Sequence, residues 1–126
     1  MTDEEESERA AHVVERAADL FSLLSTPVRL RIVLQLCSGE KSVSELLVAL
    51  KVGQPNVSQH LTMMYRAGLV SRRKQGAQAF YRIANDSVIA VCETVCAQIA
   101  TDMGKKVLTP APQGAECLHS RRETTR

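Results

Sequence analysis

The segment that decides the fold runs from residue 42 to residue 68 and reads SVSELLVALKVGQPNVSQHLTMMYRAG. Ser42 and Glu45 stand three residues apart before an apolar run, which is the spacing of a capping box at a helix start. Pro55 suits the first turn of a second helix, and Gly68 suits its end. Two short helices joined by a tight turn at Gly53 predict a helix-turn-helix.

The second of these helices has one apolar and one polar face. Its apolar residues recur at helical spacing and predict the buried side: Val57, Leu61 and Met64. Short polar side chains near the N-terminus of a recognition helix can reach base edges in the major groove of DNA. Candidates for this role are Gln54, Asn56, Ser58, Gln59 and Thr62, with Arg66 further along the same outward face.

A basic β-hairpin is predicted directly after this helix. Residues 69–73 and 79–83 have the composition of two short strands, and the polar link between them contains Gly76. A hairpin in this position makes the helix-turn-helix a winged one. The cations of this wing are suited to phosphates or the minor groove, and the candidates at its tip are Arg72, Arg73, Lys74 and Gln75.

Further helices are predicted on both sides, so the expected fold is mainly α with a small β-hairpin. A first helix is expected from about Ala10 to Leu24, a second from Pro27 to Ser38, and a last one capped at Asn85. Residues 10–103 thus form the predicted DNA-binding and sensing domain. Residues 1–9 are expected to be a flexible acidic N-terminus, and residues 104–126 a disordered tail on composition.

The charge distribution favours a polyanionic partner. The 126-residue chain has a net charge of only +2, but residues 46–85 contain no acidic residue and six basic ones. That segment is suited to double-stranded DNA. The chain shows no export signal and no apolar run long enough to cross a membrane, so a cytoplasmic protein without a membrane partner is expected. No pattern typical of an enzyme site is present.

Four stretches resemble the ArsR/SmtB family of winged-helix repressors: residues 26–32, 42–46, 54–61 and 66–70. The resemblance implies a homodimer that pairs through its first and last helices. It also implies a repressor that leaves its operator DNA when an inducer binds. His60 stands at a frequent family position, which implies scaffold packing or a DNA contact.

The family's sensor sites vary, and two of them are missing. The arsenic-type site on the third helix resembles Cys-Val-Cys, whereas this chain has Ser42-Val43-Ser44. The zinc-type site on the last helix needs histidine, which that helix lacks. Three cysteines remain on two helices that pack together in the family: Cys37, Cys92 and Cys96. Three soft sulfurs suit a thiophilic ion, so the leading hypothesis is a site for Sb(III) or As(III).

Several alternatives stay open at this point. The region around Cys96 resembles that of family members that respond to reactive sulfur, so a Cys37–Cys96 pair could sense reactive sulfur species or oxidants. The cysteines could also simply be buried packing residues. Cys117, in the expected tail, is a stray exposed thiol or a fourth ligand. A non-sensing winged-helix module for protein interaction is the alternative from another functional class.

Overall fold

A computed structural model describes residues 2–51 and 54–104, and for Gln54 and Pro55 it describes the backbone alone. The helices are α1 (Asp3–Leu23), α2 (Pro27–Leu36), α3 (Val43–Leu50), α4 (Gln54–Arg66) and α5 (Asp86–Asp102). The strands are β1 (Lys41–Ser42), β2 (Val70–Gln75) and β3 (Gln78–Ile83). Apart from Gly104, the predicted disordered tail over 104–126 lies outside these residues, and so does the predicted stray thiol at Cys117.

Helix α1 begins at Asp3, seven residues before the expected start, so residues 3–9 are helical. The N-cap explains the difference. The Thr2 hydroxyl accepts from the Glu5 amide at 3.2 Å, and the Glu5 carboxylate accepts from the Thr2 amide at 3.1 Å. Acidic residues in the first turn also suit the positive end of the helix dipole. No residue of α1 is buried in the chain by itself.

The predicted caps of α2, α3 and α5 are confirmed. Thr26 accepts from the Arg29 amide, and Asn85 accepts from the Ser87 amide. At α3, the Glu45 amide donates to the Ser42 hydroxyl at 3.1 Å, and the Ser42 amide donates to the Glu45 carboxylate at 3.0 Å. The sequence therefore specified these three helix starts locally, through side chains that satisfy free amides.

The wing is a three-stranded antiparallel sheet in the order β1-β3-β2. The β2–β3 hairpin is the predicted one, and it pairs Arg72 with Tyr81 and Arg73 with Phe80. The third strand, β1, was not predicted, because two residues are too short to show an alternating pattern. Lys41 of β1 pairs with Tyr81, so β1 joins the end of α2 to the sheet.

The core lies between the helices and the inner face of the sheet. The predicted apolar stripe of α4, formed by Val57, Leu61 and Met64, is fully buried. On α5, whose apolar residues recur at helical spacing, Ile89 and Glu93 are buried whereas Val95 is exposed. The reason is that α5 has two apolar sides and a single chain covers only one. None of the described helices is both long and apolar enough to cross a membrane.

Candidate nucleic-acid interface and thiol site

Helix α4 presents the predicted polar face to solvent. Asn56, Gln59 and Arg66 are exposed, and Ser58 and Thr62 are partly exposed. Five residues line a surface depression of about 430 Å³ along this face: Ser58, Gln59, Thr62, Met63 and Arg66. The predicted α4 candidates whose side chains are described therefore lie on one accessible strip, with the exception of His60. This strip consists of Asn56, Ser58, Gln59, Thr62 and Arg66.

His60 is placed differently from its neighbours on α4. Its Nδ1 atom is buried and has no hydrogen-bond partner among the described residues. Burial lowers the pKa of His60, and the positive charge of Arg29 lowers it further, so the imidazole is neutral at pH 7. Arg29 itself reaches α4, since its Nη1 lies 3.2 Å from the sulfur of Met63. This environment is typical of a scaffold residue that packs α4 against α2.

A second, polar depression of about 230 Å³ lies where α3, α4 and the hairpin meet. Its polar lining includes Ser44 of α3, Ser58 of α4 and Gln78 of the hairpin. Nothing in the sequence singles out Ser44 and Gln78, because they stand outside the recognition helix and carry no charge. Their position adds two neutral hydrogen-bonding groups beside the predicted recognition face.

On the wing, Arg72 is held against the recognition helix. Its guanidinium lies 4.2 Å from the centre of the Tyr65 ring of α4, which is a cation–π distance. Lys74 and Gln75 are exposed at the tip of the hairpin. Tyr65 was not a sequence candidate, because a lone aromatic residue at the end of a helix carries no pattern. The contact gives the wing a defined position next to α4.

The sequence predicts that Arg73 contacts a phosphate, but in the structure its side chain has other partners. Its Nη2 lies 2.7 Å from one Glu40 carboxylate oxygen, and its Nε lies 3.1 Å from the other. Its Nη1 donates to Gln75 at 2.7 Å, and the guanidinium lies 4.6 Å from the centre of the Phe80 ring. The Arg73 guanidinium lowers the pKa of Glu40, chiefly through these hydrogen bonds.

The three candidate cysteines lie in one packed region. Cys37 caps the C-terminal end of α2, and Cys92 lies on α5; both are buried in the core, and Cys96, one turn along α5, packs against it. Within residues 2–51 and 54–104, however, no three His, Cys, Asp or Glu side chains form a group able to hold a metal ion. The three cysteines therefore border the same core, but their sulfur atoms do not surround a common point.

The thiols of α5 carry their protons at neutral pH. Burial raises the pKa of Cys92 to about 11, and the charges of Cys96 and the buried Glu93 add to the effect. Burial also raises the pKa of Cys96. A protonated thiol is a poor nucleophile, because the thiolate is the attacking form.

Comparison with known proteins identifies related regulators. The family model described as bacterial regulatory protein, arsR family, matches residues 26–72. The SmtB repressor of Mycobacterium tuberculosis is 42% identical over 73 residues, 58% of this chain and 54% of its own length. The biofilm growth-associated repressor of Xylella fastidiosa is 40% identical over 102 residues, 78% of this chain and 86% of its own. The arsenical resistance operon repressor of Escherichia coli is 42% identical over 66 residues, which are 52% and 56% of the two chains.

Solved structures with the same fold include two relevant neighbours. The repressor BigR from Xylella fastidiosa superposes with a TM-score of 0.61 at 37% identity, over 75% of this chain and 93% of its own. The homodimeric winged helix-turn-helix domain Mb0332 from Mycobacterium bovis gives a TM-score of 0.62 at 26% identity, over 81% and 88%. The chain spans about half the length of SmtB but most of the length of these two structures.

Proposed function

Because the chain belongs to the ArsR/SmtB family of bacterial regulatory proteins, we propose that it is a homodimeric repressor that binds double-stranded operator DNA. One observation carries the DNA-binding part. The exposed polar strip of α4 is joined to the wing by the contact between Arg72 and Tyr65, and Lys74 is exposed further along the same strand. Neutral amides and hydroxyls on the helix can read base edges while cations on the wing hold the phosphate backbone.

The proposed dimer interface is formed by α1 and the outer side of α5. Helix α1 has no buried residue, yet it carries apolar side chains such as Phe21, which is 58% exposed. Val95 on α5 is 52% exposed. Apolar surface of this kind is buried in a stable interface, and the Mb0332 neighbour is a homodimer. Two copies would then present two recognition helices to successive major grooves.

Replacing Lys74 with alanine is expected to weaken operator binding and its dependence on salt. Counterion release makes the logarithm of the binding constant fall with the logarithm of salt concentration, with a slope of about −0.9 per phosphate contact. A dimer loses two contacts through one substitution, so the slope is expected to become less steep by about 2. The slope is measured by fluorescence anisotropy at several salt concentrations, with duplex DNA from the region upstream of the gene for this protein.

Arg31→Ala is the matched control, since it removes the same charge from an exposed position of α2 rather than from the wing. Its salt slope is expected to stay close to that of the unaltered protein. An equal change in slope for both variants would mean that only overall charge matters, and it would remove the wing from the interface. Failure of the unaltered protein to bind duplex DNA would overturn the proposed function itself.

The proposed inducer is Sb(III) or As(III), bound by Cys37, Cys92 and Cys96. The donor set supports it, because three sulfurs without a nitrogen ligand suit a soft ion that needs only three ligands. The protonated thiols are compatible with it as well. In the neutral trihydroxide, each metalloid–hydroxyl bond is exchanged for a metalloid–sulfur bond, and the thiol proton leaves in a water molecule. A divalent cation instead requires thiolates and displaces their protons into solvent.

The response would be a shift between two dimer conformations. The three sulfurs are not gathered in the described structure, so an ion that binds all three favours a conformation in which the end of α2 and α5 approach each other. An inducer can weaken DNA binding only to the extent that it prefers this second conformation. The strip on α4 and the wing rest on the same core as Cys37 and Cys92, which gives the shift a physical route to the DNA.

Challenge of the operator complex with five species distinguishes the inducers. Sb(III), As(III), Cd(II), Zn(II) and a polysulfide are titrated separately against the bound operator, and DNA release is followed by anisotropy. Sb(III) or As(III) is expected to act at the lowest concentration. Release by polysulfide at lower concentration would replace this proposal with reactive-sulfur sensing through Cys37 and Cys96, the second candidate. Release by none of the five would leave a DNA-binding protein without the proposed sensor.

A further inference from the structure

We infer that Glu40 and Arg73 form a latch that fixes the direction of the wing, and that Arg73 is a positioning residue rather than a phosphate contact. The inference rests on the proposed DNA-binding function and names the part that one ion pair plays in it. It assigns the wing's cations to two separate tasks, which the run of adjacent basic residues at 72–74 does not reveal.

The first argument is the pleat of β2. Side chains of consecutive strand residues point to opposite faces of a sheet. Arg72 pairs with the buried Tyr81 and stacks on Tyr65, so its face is the one directed at α4. Lys74 shares that face by alternation. Arg73 pairs with Phe80 and stacks on it, which places Arg73 on the opposite face of the hairpin.

The second argument is the number of groups that already hold the Arg73 side chain. Glu40 accepts from Nε and Nη2, and Gln75 accepts from Nη1. Three of the five N–H groups of the guanidinium are therefore engaged with neighbouring side chains, and among them is the Nε–Nη2 pair that can grip a phosphate. The Glu40 carboxylate also neutralises the charge that would attract a phosphate. Turning the Nε–Nη2 pair toward a phosphate would require breaking both hydrogen bonds to Glu40.

The third argument is what the latch connects. Glu40 lies immediately before β1, whereas Arg73 lies on β2, and β3 runs between these two strands. The ion pair thus spans the sheet from one outer strand to the other, above the ring of Phe80. Glu40 is also three residues beyond Cys37, the C-cap of α2. A displacement of the end of α2 is therefore passed to the hairpin through a short stretch of chain and this ion pair.

Four single variants and one double variant test the latch through operator affinity. The expected results for Arg73→Ala, Arg73→Lys, Glu40→Gln and Glu40→Asp are alike: binding weakens by about two- to fivefold, the range expected for an exposed ion pair. Arg73→Ala and Arg73→Lys lose the fork, and Glu40→Asp keeps its charge but shortens the carboxylate. The double variant Glu40→Gln with Arg73→Ala is expected to bind no more weakly than either single variant.

The salt dependence provides a readout that separates positioning from contact. The slope for Arg73→Ala is expected to match that of the unaltered protein, whereas Lys74→Ala makes it less steep. A phosphate contact predicts the opposite pattern. Arg73→Ala would then reduce the slope, Arg73→Lys would largely preserve binding, and Glu40→Gln would tighten it by freeing the arginine. Any of these three results overturns the latch, while the Lys74→Ala result tests DNA binding separately.

Discussion

Replacing Leu46 with alanine is expected to lower the free energy of unfolding by about 2–5 kcal/mol. Leu46 is 0% exposed at the centre of α3, and α3 contacts both α2 and α4. The substitution removes buried methyl and methylene groups and leaves a cavity that the surrounding helices fill only in part. Because α3 supports the recognition helix, operator binding is expected to be lost at a lower temperature. Urea denaturation at fixed protein concentration gives the change in free energy.

Val48→Ala is the control within the same helix. Val48 is 78% exposed, so its loss is expected to change the free energy of unfolding by less than about 0.5 kcal/mol. A cost for Val48→Ala as large as that for Leu46→Ala would show that the exposed side of α3 is covered, for example by a second copy of the chain. Equal, small costs at both positions would contradict the described core.

Replacing Cys37 with serine is expected to abolish operator release by Sb(III) while leaving operator binding intact. Serine keeps the shape of the side chain but replaces the soft sulfur with a hard oxygen, which is a poor ligand for a thiophilic ion. The same result is expected for Cys92→Ser and Cys96→Ser, since two remaining sulfurs cannot complete a three-coordinate site. The measurement is anisotropy of the operator complex during titration with Sb(III).

Two controls accompany the cysteine variants. Cys117→Ser removes a thiol outside the proposed set, and its complex is expected to release DNA as readily as the unaltered one. Affinity without Sb(III) is measured for every variant, because a serine hydroxyl buried at position 37 or 92 costs about 1–3 kcal/mol of stability unless it finds a partner. Release that survives in all three single variants would eliminate the proposed site.

Most of the fold could be predicted because its signals are local. The α4 stripe of Val57, Leu61 and Met64 and the capping box of Ser42 and Glu45 depend on residues a few positions apart. The start of α1 was missed although Thr2 and Glu5 have the same capping spacing. A run of acidic residues at the N-terminus favours a flexible segment by composition, whereas acids in a first turn stabilise a helix.

The candidate site was predictable in composition and less so in arrangement. The exposed amides on α4 and the cations on the wing follow from periodicity and charge. On α5, Val95 stands at helical spacing from Cys92, yet Val95 is exposed and Cys92 is buried. A helix with two apolar sides gives one continuous pattern, and only the neighbouring elements decide which side enters the core of the single chain.

The sequence by itself determined the order of the helices, the winged architecture, the basic segment and the presence of three sulfurs on two helices. These features depend on spacing along the chain, which short-range hydrogen bonds and side-chain periodicity convert directly into structure. The tertiary structure alone decided that Arg72 stacks on Tyr65, that Arg73 pairs with Glu40, and that Cys37 enters the same core as Cys92. Each of these contacts joins different elements, so it depends on how the elements pack and not on any local pattern.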